Sequence, residues 1–259
     1  VSELANLAPN RSAAFVGDSA FAHKGGVHVS AVERNPLTYE HVAPESVGNR
    51  RRVLVSDLSG RSNLLAKARE LGLDIREEGR LLNELKRLEH EGFEFEAADA
   101  SFELLVHKLN RSPKPYFELL TFRVIDEQHA TTTHQSEATV RVRVANQIEH
   151  AFAIGTGPVN ALDQALRRAL EPFYPVLADV RLVDYKVRVI KGSFSGTASQ
   201  VRVLITSSDG QNEWGTVGVS TNIVAASWQA LVDSVEYKLK KDGVESSLEM
   251  EIDQKAIPA

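Results

Sequence analysis

The sequence contains no cysteine and a single methionine among its 259 residues. Without cysteine there is no disulfide, no thiol nucleophile and no cysteine-ligated zinc. No His-x-His pair occurs among the eight histidines. No apolar run approaches the roughly 20 residues of a membrane span, and no secretory pattern opens the chain. Cytoplasm is the expected location. A net charge of -5 speaks against a general nucleic-acid binder. The concentrated basic spot is Gly48-Asn49-Arg50-Arg51-Arg52, where carboxylate or phosphate binding competes with a salt-bridged surface. Val1 in place of an initiator methionine suggests a fragment or a processed product.

What is present is ordinary for a globular protein: 42% apolar and 25% charged residues, with length for more than one core. Residues 1–60 are loop-rich, with Pro9, Pro36 and Pro44 and five glycines between Gly17 and Gly60, so short helices and turns are expected. Residues 61–115 read as helical. Ser62 is placed to cap a helix through Leu64, Leu65, Ala68 and Leu71 that stops at Gly72. Leu81, Leu82, Leu85 and Leu88 repeat the pattern up to Gly92, and Asp99 opens a third helix. Ser112-Pro113-Lys114-Pro115 reads as a linker, and residues 246–259 as a disordered tail.

Residues 116–245 change character. Alternating apolar residues mark strands around Phe122, Val142, Phe152, Tyr185, Val203 and Val217. Each group of three strands precedes a helical pattern, first Val159, Leu162, Leu166 and Ala169, then Val224, Trp228, Leu231 and Val235. The fold class expected is therefore α+β: small helical and loop subdomains followed by a duplicated βββα domain. Aligning Thr139–Val144 with Gln200–Ile205 gives an offset of 61, against 65 for the helices. That assigns a longer hairpin to the second copy, at Ser208-Asp209-Gly210. One helix only partly covers a three-stranded face, so two copies are expected to pack together.

Two places could carry chemistry. His28 follows Gly25-Gly26 and precedes Tyr39, a pairing suited to proton transfer from a flexible segment. His23 reads as a loop histidine bonded to backbone, and no carboxylate stands at ligand spacing to make His23 and His28 a metal site. Gly155-Thr156-Gly157-Pro158 precedes a helix whose N-terminal N–H groups suit a small carboxylate as well as simple capping. No lysine follows the last glycine, so it is not a phosphate loop. Ser220-Thr221-Asn222 stands at the matching place in the second copy.

The stretches from Ala20 to His28, Thr38-Tyr39-Glu40-His41 and Val47-Gly48-Asn49 resemble the segment after the barrel in citramalate synthases, which belong with 2-isopropylmalate and homocitrate synthases. The runs Leu54–Asn63 and Phe93–Phe102 resemble the citramalate branch in particular. The Gly155–Val159 turn and the doubled βββα unit resemble the family's allosteric domain. Nearly the whole chain is covered. The resemblance implies an acyltransferase that condenses acetyl-CoA with pyruvate for isoleucine synthesis. It implies a divalent metal in a barrel not included in this chain, with no cofactor in the chain itself, which would be inactive alone. It also implies a homodimer whose segment with His28 and Tyr39 acts at the partner subunit's barrel. The allosteric domain would bind isoleucine for feedback inhibition, drawing on Leu182, Tyr185 and Val189, on Val159 and Asn160, and on Ser220, Thr221 and Ile223. Strict alternation from Val183 to Val189 places Leu182 on the opposite face unless a bulge intervenes. Other readings are a leucine-sensing region of a 2-isopropylmalate synthase, a stand-alone amino-acid sensor, or a metal hydrolase using His23 and His28.

Overall fold

The computed structural model describes residues 10, 13–17, 19–23, 26–53, 67–111, 115–127, 135–144, 147–190 and 198–246. Ser62, the run Leu54–Asn63, and the tail beyond Ser246 fall outside them. The chain divides into two compact units, Val1–His90 and Glu91–Ala259.

In the first unit, strand β1 (Ala22–His23) pairs in parallel with β2 (Arg52–Val53). Between them lie helix α1 (Gly26–Arg34) and two 3-10 turns, Pro36–Thr38 and Pro44–Val47. Each turn opens on its proline, whose missing N–H is not needed at a first helical position. Asn35 caps the first turn, accepting from the Leu37 N–H at 3.2 Å. Gly48 ends the second at φ +70, a conformation that favours glycine. The Asn49 amide then donates to the carbonyls of Phe15 and Gly17 at 2.8 and 2.9 Å. Gly48 and Asn49, adjacent to the basic run, thus have structural work. Helix α2 (Glu78–His90) buries Leu81 and Leu85, as the leucine spacing requires, and Gly92 follows it at φ +99.

The second unit opens with helix α3 (Asp99–Arg111), then β3 (Glu118–Glu127), β4 (Gln135–Val144), β5 (Gln147–Gly155) and α4 (Pro158–Leu170). A 3-10 turn (Pro175–Asp179) leads to β6 (Arg181–Val189), β7 (Val201–Ser208), β8 (Glu213–Ser220) and α5 (Ile223–Lys241). The strands form two antiparallel sheets ordered β3-β4-β5 and β6-β7-β8. Helix α4 lies on β4 and β5, α5 on β7 and β8, and the helices touch. Their shared core holds Val140, Val142, Leu162, Leu166, Ile205 and Leu231. Although its sequence reads with the middle helical region, α3 packs on α5 and β8. Ser101 in α3 donates to half-buried Asp233 at 2.6 Å and accepts from the Val217 N–H at 3.1 Å. Burial pushes the Asp233 and Glu236 carboxyls up, and Lys108 between them opposes that shift.

The repeat is present, but the pairing corrects its alignment. β5 ends at Gly155 and β8 at Ser220, 65 apart like the helix starts Pro158 and Ile223, and their partners Ser136 and Val201 are 65 apart too, so both strands of the hairpin advance by 65. Phe122 pairs with Val140, and Tyr185 with Ile205, so the first strand advances by 63. The two hairpins keep the same register, but the second does have the longer connection, from Ser208 to Glu213 against Val144 to Gln147, and two further residues lie between β6 and β7. The offset of 61 differs from 65 by four, an even number, and an even slip keeps every side chain on its own face. Valine-rich alternation cannot discriminate the two.

Candidate functional site

A cavity of about 500 Å3 opens in the second unit between the start of α4 and the start of β6. Val159, Asn160, Asp163 and Arg167 line it from the helix, and Val180, just before the strand, with Arg181, Leu182 and Tyr185 on it, from the other side. The bulge on which Leu182 depended is there: the register shifts between Leu182 and Asp184. Leu182 stands opposite Ser207, and Tyr185 opposite Ile205, two buried positions on the same face of β7. Both side chains therefore turn toward the helices. The Tyr185 hydroxyl meets Ser227 Oγ at 2.8 Å. Since that serine already donates to the Ile223 carbonyl at 2.7 Å, Tyr185 is the donor.

Local sequence explains the mouth. A Cβ on Gly155 would stand 2.4 Å from the Ala161 N and 2.6 Å from Asn160 Oδ1, so only glycine permits the chain to turn this tightly onto α4. Gly157 is the N-cap and offers no side-chain bond, while Pro158 at the first helical position has no N–H. The N–H groups of Val159 and Asn160 are left without a side-chain cap at the positive end of the helix dipole. Asn160 Oδ1 accepts from the Thr156 N–H at 3.1 Å and from Gln164 at 2.9 Å. One turn on, Arg167 Nε contacts both oxygens of Asp163 at 3.0 Å, and its Nη1 donates to the Leu177 carbonyl at 3.0 Å. The cavity thus combines an apolar strand wall, free donors at a helix end and a half-buried ion pair, which is how small-molecule pockets are generally built.

The structure brings Val159, Asn160, Leu182 and Tyr185 together. It leaves Val189 65% exposed toward the far end of β6 and outside the lining. Ser220, Thr221 and Ile223 lie at the start of α5, also outside it. There Asn222 caps the helix, accepting from the Val224 and Ala225 N–H groups at 2.8 and 3.2 Å. Asp163, Arg167, Val180 and Arg181 were missed by sequence reasoning. The only trace of the first two is a carboxylate and a guanidinium at i, i+4 spacing, which is common on any exposed helix face.

In the first unit, His28 lies on α1 and stacks on Tyr39 with ring centroids 4.2 Å apart and planes at 28°. Both are exposed. His28 is thus a helix residue here. His23 lies in β1, and its Nε2 meets Glu40 Oε1 at 2.9 Å, so its partner is a carboxylate and not backbone. Arg51 donates to both oxygens of Glu40, at 2.8 and 2.5 Å. Arg51, with His23 beside it, holds the Glu40 carboxyl below the usual carboxylate range, against the opposing effect of burial. Among the described residues there is no cluster of three metal-ligating side chains, and no helix is long and apolar enough to cross a membrane.

Residues 96–239 match the family described as LeuA allosteric (dimerisation) domain, and residues 15–92 match the homocitrate synthase post-HMGL domain-like family. A chain so covered, with the duplicated βββα unit intact, belongs to the family that carries the LeuA allosteric domain. Among its relatives, an (R)-citramalate synthase of Geobacter sulfurreducens is 58% identical over 93% of this chain and 46% of its own length. One of Aquifex aeolicus is 51% identical over 96% of this chain and 48% of its own. A 2-isopropylmalate synthase of Methanocaldococcus jannaschii is 30% identical over 90% of this chain and 43% of its own. The chain spans about half the length of these curated relatives.

Proposed function

We propose that this chain is the C-terminal regulatory part of a cytoplasmic citramalate synthase, an acyltransferase joining acetyl-CoA to pyruvate, and that it binds isoleucine for feedback inhibition. The observation that carries the reading is the cavity at the start of α4. Its uncapped N–H groups at Val159 and Asn160 suit the effector's carboxylate, and Leu182, Tyr185 and Val159 form a wall for a branched side chain. The citramalate branch is supported by the higher identity to relatives of that name than to the 2-isopropylmalate synthase.

The chain acts as a homodimer in this reading. In support, Ile148, Phe152 and Ile154 form an exposed apolar stripe along β5, and Val183, Val187 and Val189 are exposed on β6. His28 and Tyr39 reach the partner subunit's barrel and serve the condensation there. The divalent metal belongs to that barrel, and the chain alone has no condensation activity. Ser220, Thr221, Ile223 and Val189 remain candidates for effector contacts.

Calorimetric titration of the chain with isoleucine, leucine and valine, beside a light-scattering mass, tests the proposal. A dimer that binds isoleucine selectively is the expected result. One methyl position is worth only about 1–3 kcal/mol of discrimination, so competition at equal concentration should accompany direct titration. Preference for leucine would move the chain to the isopropylmalate branch, and no binding of any of the three would remove the sensing role.

A further inference from the structure

The His28–Tyr39 stack is exposed, so its geometry has to be set from behind. Three segments remote in sequence meet there: β1 at His23, the residue after Tyr39, and Arg51 just before β2. Glu40 joins them. It is only 4% exposed, and its two oxygens take His23 Nε2 and the Arg51 guanidinium in charge-assisted contacts. Its own N–H donates to the Pro36 carbonyl at 3.0 Å, closing the turn that presents Tyr39. A buried carboxylate is costly to leave half-paired, so the three segments hold one arrangement.

We propose that Glu40 is a positioning residue for the His28–Tyr39 pair, fixing the Tyr39 turn against the strand that leads into α1. The inference rests on the reading that this pair serves the condensation. Glu40 touches no reacting atom itself. It acts by setting the distance and tilt of two rings, and an error of 1 Å in such a pair can cost about a hundredfold in rate.

The test uses the intact synthase and follows CoA release from acetyl-CoA and pyruvate. E40Q keeps the shape of the side chain and removes the charge that Arg51 grips. It should lower kcat about tenfold, leave KM for both substrates within about twofold, and leave isoleucine inhibition unchanged. The decisive comparison is made in the H28A/Y39A background, where adding E40Q should cost no further rate, because a residue acting through the pair has nothing left to position. If E40Q runs at the parent rate, or if it lowers the rate of H28A/Y39A by the same factor as in the parent, the proposal is overturned. If H28A/Y39A runs at the parent rate, the reading of the pair fails first and separately. Should E40Q not fold, R51K takes its place. It keeps the charge but loses the two-point grip, with a loss of about threefold in kcat and the same absence of further loss in H28A/Y39A.

Discussion

The two halves of the duplicated domain share strands, helices and even a bulge, which falls between Leu119 and Thr121 in one and between Leu182 and Asp184 in the other. They differ in what fills the matching positions. Where the first half has Gly155, Gly157, Asn160, Asp163 and Arg167, the second has Ser220, Asn222, Ala225, Trp228 and Val232, each 65 positions further on. Tyr185 answers to Phe122, which stacks on Trp228 at 5.2 Å between ring centroids. At the start of α5 an asparagine caps the helix, and behind it Phe122 of the other half stacks on Trp228. At the start of α4 no side chain caps the helix, and a cavity opens against β6 of the other half. Duplication supplies the frame, and a handful of substitutions decides which helix start faces open space.

The same contrast appears on the outer faces. In the second sheet β7 and β8 are covered: a Cβ on Gly215 would lie 2.0 Å from the Ala97 carbonyl oxygen, and Arg202 donates to the Gly92 carbonyl at 2.6 Å. The equivalent of Gly215 in the first sheet is His150, whose neighbours Ile148 and Phe152 are half exposed. Glycine is needed only where another segment has to press against the strand.

The largest effect expected from breaking this contrast is at the plug. Trp228→Ala removes a buried ring stacked on Phe122 and should cost about 3–5 kcal/mol in urea unfolding. Asp163→Ala, at the matching place beside the open cavity, should cost less, about 1–2 kcal/mol, chiefly from leaving the half-buried Arg167 guanidinium without its carboxylate. Near-equal losses would mean that the two places are not alternatives. Next is Gly155→Ala, where the new Cβ collides with α4; a loss of about 1–3 kcal/mol is expected, with isoleucine binding abolished.

A sharper probe copies one half onto the other. Gly157 is extended, at φ −173 and ψ 170, and a Cβ there meets nothing within 4 Å, so asparagine fits. Gly157→Asn should cap α4 as Asn222 caps α5 and raise stability by a few tenths of a kcal/mol. The carboxamide would then occupy the donors assigned to the effector, and calorimetry should find isoleucine binding weakened about tenfold or more. A variant that gains stability and binds isoleucine as before would move the carboxylate elsewhere.

The smallest effect is one of pH. Asp209, in the second hairpin, is held well below the usual carboxylate range by Lys238 and by the N–H groups of Asn212 and Gln211. Its folded pKa lies below its unfolded one, so its contribution is present above about pH 4 and fades as pH falls toward the folded value. Asp209→Asn should flatten the acid side of the stability profile in that range and change little at neutral pH beyond the loss of the Lys238 contact.

Much of this was legible in residue order. Period-two valines and period-3.6 leucines placed the strands and helices of the second unit because burial on one face imposes those periods. Gly72 and Gly92 marked helix ends because left-handed backbone favours glycine. The Gly155–Pro158 turn pointed to a bare helix end, since neither glycine nor proline can supply a cap. The side of the strand from which Leu182 points was not legible, because a bulge leaves no mark in an alternating pattern. Nor was the alignment of the two hairpins, because register is set by packing across the sheet. Glu40 looked like any charged residue near a proline-rich turn until folding brought His23 and Arg51 to it from 17 and 11 residues away. Residue order is enough for the elements, their doubling and the bare helix end, all of which depend on neighbours a few residues apart. Which side chains enclose the cavity, and which carboxylate ties the His28–Tyr39 segment together, depends on packing, because those contacts join residues that chain connectivity leaves far apart.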